Sequence, residues 1–246
     1  MLFVLASLSW AIPEGDAEPF SVAVADVGAF NPDARRVSEA ILGAHADVVV
    51  VPECSRSSIS EETLATQGYR LLLDARDPSP GGLCVVSRLE GDASVLPPAW
   101  AGPCATPFGV VRFSVGSQHL SVLAVHLPSR MPACEATNDG AVSNLAGLVG
   151  GGKLVADLGV GRAGDLVVVA GNLNAAGKQL APLRAAGLAE TGEVGGQKLS
   201  TWSLGPVRMW LDHVFVPAGW SVLSTSVFDL PGAEHRGLAA DFVPGS

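Results

Sequence analysis

The chain consists of short apolar runs separated by glycine and proline, a pattern typical of many short strands with a few helices between them. Residues 47–51 and 165–170 are almost continuously apolar, which predicts strands buried on both faces. Residues 20–27 alternate in the manner of a strand. Further strands are expected at residues 83–87, 110–115, 120–126, 211–216, 220–228 and 238–242.

Helical patterns lie between these strands. Val37 and Ile41 recur at helical spacing within residues 32–44, and Asn31 is the predicted N-cap of that helix. Two further helices are expected at residues 141–158 and 180–186. Because no linker or low-complexity segment divides the chain, we expect a single α/β domain over residues 20–243. Two packed sheets flanked by helices would fit this order of elements.

The composition supports a folded domain and bounds its partners. Of the 246 residues, 48% are hydrophobic and 16% are charged, which provides a core and excludes a disordered chain. The net charge of −9 comes from 15 Lys and Arg against 24 Asp and Glu. Since nucleic acid is bound largely by Lys and Arg, tight non-specific DNA binding is disfavoured. A small phosphoester or a weakly held polymer stays open, and a divalent cation would offset part of the charge.

The first residues resemble a short secretory signal. Residues 1–11 are apolar apart from two serines, and Ser9 and Ala11 are small residues placed for cleavage before Ile12. The Lys or Arg usual at the front of such a signal is missing, so a first core strand or a mis-set start codon is the alternative. We expect a secreted or periplasmic protein, with a cytoplasmic one as the other reading. No apolar run reaches the roughly 18 residues needed to span a bilayer.

Four cysteines are present, and none forms a CxxC pair, so a zinc ribbon is not expected. An even number in an exported chain permits two disulfides with three connectivities. Cys104 and Cys134 lie in proline-containing segments and are the preferred pair. Cys84 lies within an apolar strand and is expected to be a buried free thiol.

Several apolar strands end in a side chain that can bind a metal or transfer a proton. The residues at these strand ends are Asp26, Glu53, His126, Asn172, Asn174, Asp212, Glu234 and His235. Packed strands would gather these ends along one edge. Oxygen ligands without thiolate suit Mg²⁺, Mn²⁺ or Ca²⁺ better than Zn²⁺. Such a cluster can polarise a phosphoryl oxygen while a base activates water.

The order and spacing of these segments resemble the endonuclease/exonuclease/phosphatase family, which includes pancreatic-type deoxyribonucleases and neutral sphingomyelinases. The resemblance extends over residues 20–242 and rests on seven blocks in order. They are residues 26–28 (DVG), 46–53 (ADVVVVPE), 82–88 (GLCVVSR), 125–127 (VHL), 171–175 (GNLNA), 201–216 with its TW and WLDHVFV, and 233–242 (AEHRGLAADF). The resemblance implies a four-layer sandwich of two packed mixed β-sheets flanked by helices.

The resemblance also implies a metal site that uses Mg²⁺, or Mn²⁺ or Ca²⁺ in its place. Glu53 would be the main metal ligand. Asp26 and Glu234 would lie near the metal, each at a position where the family has a different residue.

The remaining roles implied by the resemblance concern the phosphate. His126 and Asn174 would contact the scissile phosphate. Asp212 would hold and orient His235, which would act on the phosphoryl group or on the attacking water. Arg236 would touch a phosphate or form an ion pair.

Three departures from the family fall in the predicted site. Asp26 replaces an Asn, Asn172 replaces the catalytic Asp of "GDFN", and Glu234 replaces the Asp of "SDH". Asn172 cannot accept a proton at neutral pH, and loss of a general base typically costs about 10²–10⁴-fold in rate. In the family, the residues at the positions of Asp26 and Asn172 lie side by side on neighbouring strands. Our hypothesis is that Asp26 supplies the carboxylate that Asn172 lacks.

Some polar and aromatic residues near the site have structural explanations. His213 follows Asp212 directly, so its side chain is expected on the opposite face of the strand. Trp202 and Trp210 are expected to be core or rim aromatics.

The leading prediction is a hydrolase, a metal-dependent phosphoesterase that cleaves a phosphodiester with a His- and Asp-assisted attacking water. The alternative is a catalytically weak or inactive binding protein on the same scaffold, because of Asn172. The phosphoester substrate stays open among nucleic acid, lipid and small molecule. We expect a monomer.

Overall fold

The computed structural model describes residues 18–28, 31, 33–76, 81–96, 108–115, 118–127, 129, 134–150, 166–194, 199–243 and 245. The signal-like segment of residues 1–11 lies outside this part. The described helices are Ala34–Gly43 (α1), Glu61–Ala65 (α2), Glu135–Gly150 (α3), Ala181–Ala185 (α4) and Thr191–Val194 (α5), with a 3-10 helix at Gly177–Leu180. None of these helices has both the length and the apolar character that a membrane span requires.

Two six-stranded sheets form the centre of the fold. The first contains, in spatial order, Ser221–Asp229 (β13), Arg236–Val243 (β14), Phe20–Val24 (β1), Val48–Pro52 (β2), Leu83–Ser87 (β4) and Arg70–Ala75 (β3). The second contains Gly91–Leu96 (β5), Phe108–Val115 (β6), Gln118–His126 (β7), Leu166–Asn172 (β8), Asp212–Pro217 (β12) and Leu188–Glu190 (β9). A hairpin pairs Trp202–Leu204 (β10) with Val207–Met209 (β11).

Both large sheets are mixed, because each contains one parallel pair among antiparallel neighbours. In the first sheet β1 runs parallel to β2, and in the second β7 runs parallel to β8. The parallel pairs bring the carboxyl ends of four buried strands to one end of the molecule. The strand ends that carry polar residues therefore lie together.

The sheets pack face to face, and side chains alternate between the central core and two outer layers. In β1, Val22 and Val24 lie in the core between the sheets, whereas Ala23 packs with α1. In β12, Val214 lies in the central core, whereas Phe215 packs in the outer cluster with α3. The expected four-layer sandwich of two mixed sheets flanked by helices is confirmed.

The first helix differs from the prediction at its start. Asp33 is its N-cap and accepts a hydrogen bond from the Arg36 backbone N–H at 3.2 Å. The predicted cap, Asn31, instead accepts from the Asp33 N–H at 3.1 Å and donates to the Pro231 carbonyl at 2.8 Å. The prediction of Asn31 as the cap was wrong because a long-range contact holds its side chain.

Other elements have shifted bounds or were missed. The predicted strand over residues 20–27 ends at Val24, and the predicted helix over residues 141–158 begins earlier, at Glu135. Residues 151–158 lie outside the described part. Strand β5 was not predicted, because its side chains from Asp92 to Val95 are exposed and carry no apolar pattern.

The disulfide pairing also differs from the expectation. Cys54 is bonded to Cys84, with the two Cα atoms 5.8 Å apart. The prediction of a buried free thiol at Cys84 was wrong, because the pairing of β2 with β4 brings the end of one strand to the start of the other. Cys134 is disulfide-bonded as well, and its predicted partner, Cys104, lies outside the described residues.

Candidate active site

The alternation of each strand decides which polar side chains enter the space between the sheets. In β8, Val168 and Ala170 face the central core, so Asn172, the next residue on that face, faces it too. The same reasoning applies to Asp212, two residues before Val214. The strand register then places Asn172 between His126 and Asp212 as direct neighbours in the second sheet.

Gly171 allows β7 and β8 to approach at this point. Its φ is +149°, and a Cβ there would lie 1.8 Å from the Val125 carbonyl oxygen. Only glycine fits this backbone approach, which explains why a glycine precedes Asn172.

Asp26 reaches the same space from the first sheet. It lies two residues beyond Val24, and the Ala25 N–H still donates to the Val50 carbonyl at 2.9 Å. The Asn172 side-chain amide donates to Asp26 Oδ2 at 2.7 Å, and both residues are buried. The exchanged carboxylate and amide are therefore in direct contact.

A second pair consists of the buried Asp212 and the partly buried His235. Nδ1 of His235 lies 2.7 Å from Asp212 Oδ2, and Asp212 is completely buried. The Thr201 hydroxyl accepts hydrogen bonds from the Leu211 and Asp212 N–H groups at 3.1 Å each. The Thr201 carbonyl accepts from the Arg236 N–H at 2.6 Å. Thr201 thus ties the strand of Asp212 to the segment of His235.

This role of Thr201 was not predicted. The sequence contained a signal for it, since Thr201 and Trp202 resemble a block of the family, but that block indicates the fold and not the role of the hydroxyl. The hydroxyl acts on two backbone N–H groups of a distant segment, which spacing along the chain does not reveal.

Burial and the hydrogen bond between Asp212 and His235 shift the pKa values of both groups. Burial raises the pKa of the Asp212 carboxyl, and the hydrogen bond with His235 opposes that increase. Burial alone lowers the pKa of His235. The hydrogen bond to Asp212 and the negative charges of Asp212, Asp26 and Glu53 raise the pKa by more than burial lowers it. The net result raises the pKa of His235 to about 9, so the proton lies on the imidazole at neutral pH.

We expect the His235 imidazole of the metal-free protein to titrate near pH 9 in a histidine-selective NMR titration. Because this folded-state pKa exceeds the ordinary 6.5, the pair stabilises the fold fully below pH 6.5. The stabilisation is lost as the pH rises through about 9. Asp212→Asn should lower the pKa, whereas Asp92→Asn on exposed β5 should leave it unchanged. An unchanged pKa in Asp212→Asn would contradict the assigned cause.

Glu53 lies on the first-sheet side of the same space. It follows β2 directly and has a left-handed backbone with a φ of 54°. Its Oε1 lies 3.9 Å from His126 Nε2, and its side chain is about one-third exposed. Glu53 therefore borders both the buried cluster and solvent.

Asn174 is held by two hydrogen bonds in a left-handed conformation, with a φ of 47°. Its backbone N–H donates to Asn172 Oδ1 at 2.8 Å, and its side-chain amide donates to the Leu127 carbonyl at 2.9 Å. The loop after β8 therefore fixes Asn174 beside the ends of β7 and β8.

Two predicted residues lie at the margin of the site. Glu234 is exposed, and Arg236 forms an exposed ion pair in which Nε lies 3.0 Å from Asp229 Oδ1. Among the described residues, Asp26, Asp212 and His235 are the group whose metal-binding atoms lie within 4.8 Å of one another. Neither Glu53 nor Glu234 belongs to that compact group.

The donor set fits a divalent cation. The carboxylates of Asp26, Asp212 and Glu53 all act on the single imidazolium of His235, which leaves an excess of negative charge. Asp212 Oδ1 is buried and has no hydrogen-bond partner within the described part of the chain. Oxygen donors of this kind suit Mg²⁺, Mn²⁺ or Ca²⁺.

Comparison with known proteins gives one family and one fold. The model of the Endonuclease/Exonuclease/phosphatase family matches residues 22–237. A truncated TDP2 from Caenorhabditis elegans has a TM-score of 0.75 and 14% identity, over 92% of this chain and 98% of that one. D. rerio TDP2 complexed with single-strand DNA product has a TM-score of 0.70 and 13% identity, over 91% and 98%.

A family protein from Bacteroides thetaiotaomicron has a TM-score of 0.69 and 14% identity, over 93% of this chain and 99% of that one. At these identities the structural likeness shows the fold alone. No curated protein sequence matches the chain.

Proposed function

Because the chain belongs to the endonuclease/exonuclease/phosphatase family, we propose that it is a metal-dependent phosphoesterase that hydrolyses a phosphodiester. One observation carries the proposal. The Asn172 amide donates to Asp26 Oδ2 at 2.7 Å, so a carboxylate lies directly beside the position where the family's catalytic Asp has become an amide. Asp26 and Asn172 together retain one acid and one amide in the pair.

Asp26 is the proposed acceptor of the proton from the attacking water. Its Oδ2 accepts a hydrogen bond from the Asn172 side-chain amide at 2.7 Å, and its Oδ1 accepts one from the Gly28 N–H at 3.2 Å. These two donors orient the carboxylate, and each oxygen keeps a further lone pair for the water. Asn172 then acts by holding Asp26 and not by accepting a proton.

His235 and Asp212 are the proposed electrophilic pair. With a pKa of about 9, His235 is protonated at neutral pH and can donate Nε2–H to a phosphoryl oxygen. Asp212 Oδ2 accepts a hydrogen bond from His235 Nδ1–H at 2.7 Å, and this bond fixes the orientation of the imidazole. Negative charge that develops on the phosphoryl group would be stabilised by a donor that is already positioned.

His126 and Asn174 flank this centre and are the proposed contacts of the phosphate. Glu53 would be the main ligand of the divalent cation, with Asp26 as a second carboxylate. When bound, the cation supplies Lewis-acid polarisation of the phosphoryl oxygen.

The test combines metal binding with turnover. Titration calorimetry with Mg²⁺ and Mn²⁺ should show binding to the wild type and weaker binding to Glu53→Gln. Hydrolysis of bis(p-nitrophenyl) phosphate should require the metal and stop on addition of EDTA. If the wild type neither binds the metals nor turns over the ester, the enzyme proposal fails and the binding-protein alternative, favoured by Asn172, takes its place.

The substrate class is open within the proposal. The D. rerio relative was solved with single-strand DNA product. The net charge of −9 and the lack of a basic run argue against tightly held duplex DNA here. A panel of DNA, RNA, phospholipids and sugar phosphates, run with and without chelator, would identify the class.

We further propose that the protein is exported. The Cys54–Cys84 disulfide supports this, because such bonds persist mainly in oxidising compartments. Detection of the disulfide in protein isolated from the native compartment would test it.

A further inference from the structure

A buried polar chain lies behind the loop that carries Asn172 and Asn174. His213 faces the outer side of β12, away from Asp212, as expected from the alternation of the strand. Its Nδ1 is hydrogen-bonded to the Glu190 carboxylate, and both residues are almost completely buried. Its Nε2 lies 2.9 Å from the Ala175 carbonyl oxygen. Since a carbonyl can only accept, His213 Nε2–H donates to Ala175.

Arg184 continues this chain to the other side of the loop. Its Nη2 lies 2.8 Å from Glu190 Oε2, and its Nη1 donates to the Gly177 carbonyl at 2.9 Å. The carbonyls of Ala175 and Gly177 are therefore held by one connected set of side chains.

The imidazole of His213 is fixed from its face as well as its edges. The Trp210 ring stacks on it, with the centroids 5.6 Å apart and the planes at 18°. The far end of that ring abuts Gly192, where an added Cβ would lie 2.0 Å from it. The ring therefore has little room to turn.

The loop held in this way contains a conformation that needs support. Asn174 has a φ of 47°, a left-handed conformation that is uncommon outside glycine, although asparagine adopts it more readily than most residues. The Ala175 carbonyl that His213 holds belongs to the next residue. A loss of that hydrogen bond would free the peptide between Ala175 and Ala176, one residue beyond Asn174.

We propose that His213 is a positioning residue of the active site, acting through the Ala175 carbonyl on Asn174, with Glu190 and Arg184 orienting the imidazole. The inference rests on the proposed function, because only that function gives the loop carrying Asn174 a role in catalysis. The His213 side chain lies on the face of β12 opposite to Asp212 and the other proposed catalytic groups.

The test uses three variants of β12. His213→Leu removes the donor, whereas His213→Gln keeps an amide N–H able to reach the Ala175 carbonyl. Phe215→Leu is the control for lost packing alone, because the Phe215 ring lies on the same face, 5.9 Å from the His213 ring, and has no group that can hydrogen-bond to the Ala175 carbonyl. Activity is measured well below each melting temperature, so that loss of stability alone does not lower it.

His213→Leu should lower kcat about 10–100-fold, the usual loss when a group that orients an active-site residue is removed. His213→Gln should recover most of that loss, and Phe215→Leu should keep the wild-type kcat. The Asn174 side-chain amide signals in ¹H–¹⁵N NMR should shift in His213→Leu and stay in place in Phe215→Leu.

The NMR signals separate this inference from the proposed function, since they need no turnover. If the wild type is inactive, a selective shift of Asn174 still supports the positioning role. Equal Asn174 signals in His213→Leu and Phe215→Leu would overturn it, as would equal kcat values of the two. If His213→Leu does not fold, Glu190→Gln, which leaves the imidazole in place but loosens it, is read by the same criteria.

Discussion

Replacing Asp26 with asparagine is expected to lower the rate of phosphodiester hydrolysis about 10²–10⁴-fold, the usual cost of removing a general base. Asparagine has the same shape but cannot accept a proton at neutral pH. In the variant, positions 26 and 172 would both carry an amide, and neither would carry a carboxylate. The measurement is kcat/KM for bis(p-nitrophenyl) phosphate at saturating Mg²⁺.

Two controls accompany this prediction. Asp92→Asn removes an exposed carboxylate on β5 and should leave kcat/KM unchanged. The thermal unfolding curve of Asp26→Asn shows whether its fold is retained. An active wild type whose rate is unaffected by Asp26→Asn would show that Asp26 does not replace the family's catalytic Asp.

Replacing His235 with glutamine is expected to lower kcat about 10²–10³-fold, because the charged donor to the phosphoryl oxygen is lost. The imidazolium of His235, with its pKa of about 9, lies within 4.8 Å of the carboxylates of Asp26 and Asp212. Glutamine retains an N–H but carries no charge. Single-turnover measurements would show whether the loss falls on the chemical step.

Asp212 gives this prediction a sharper form. Because Asp212 acts through His235, Asp212→Asn and His235→Gln should not have multiplicative effects in the double variant. His119→Gln, an exposed histidine on β7, is the matched control and should have wild-type activity. Multiplicative losses in the double variant would show that the two residues act independently.

The sequence predicted those parts of the fold that depend on local patterns. Leu83–Ser87 has the predicted bounds, because a short buried strand shows its apolar residues directly. Strand β5 was missed because it lies at the edge of its sheet with exposed side chains. The Cys54–Cys84 bond was missed because it follows from the pairing of two strands, which spacing along the chain does not encode.

The candidate site shows the same division. Asn172 and Asp212 were predicted from their positions at strand ends and from the family resemblance, and the strand register sets them side by side. The contact between Asp26 and Asn172 was a hypothesis from the family pattern, and the structure places the two side chains within hydrogen-bond distance. The exposed position of Glu234 was not foreseen, because it depends on the conformation of a loop.

The buried partners behind the site were beyond the reach of the sequence. His213 was correctly placed on the far face of its strand by alternation. Its bonds to Glu190 and the Ala175 carbonyl depend on how three separate segments pack, and no motif links them.

In the proposed mechanism, Asp26 and Asn172 exchange the carboxylate and the amide of the family without loss of function. The decisive measurement compares kcat/KM of the double variant Asp26→Asn/Asn172→Asp, which restores the family arrangement, with that of Asp26→Asn alone. We expect the double variant to exceed the single one by at least about 100-fold, the lower end of the contribution of a general base. A double variant as slow as Asp26→Asn, in a protein whose wild type is active, would contradict the claim.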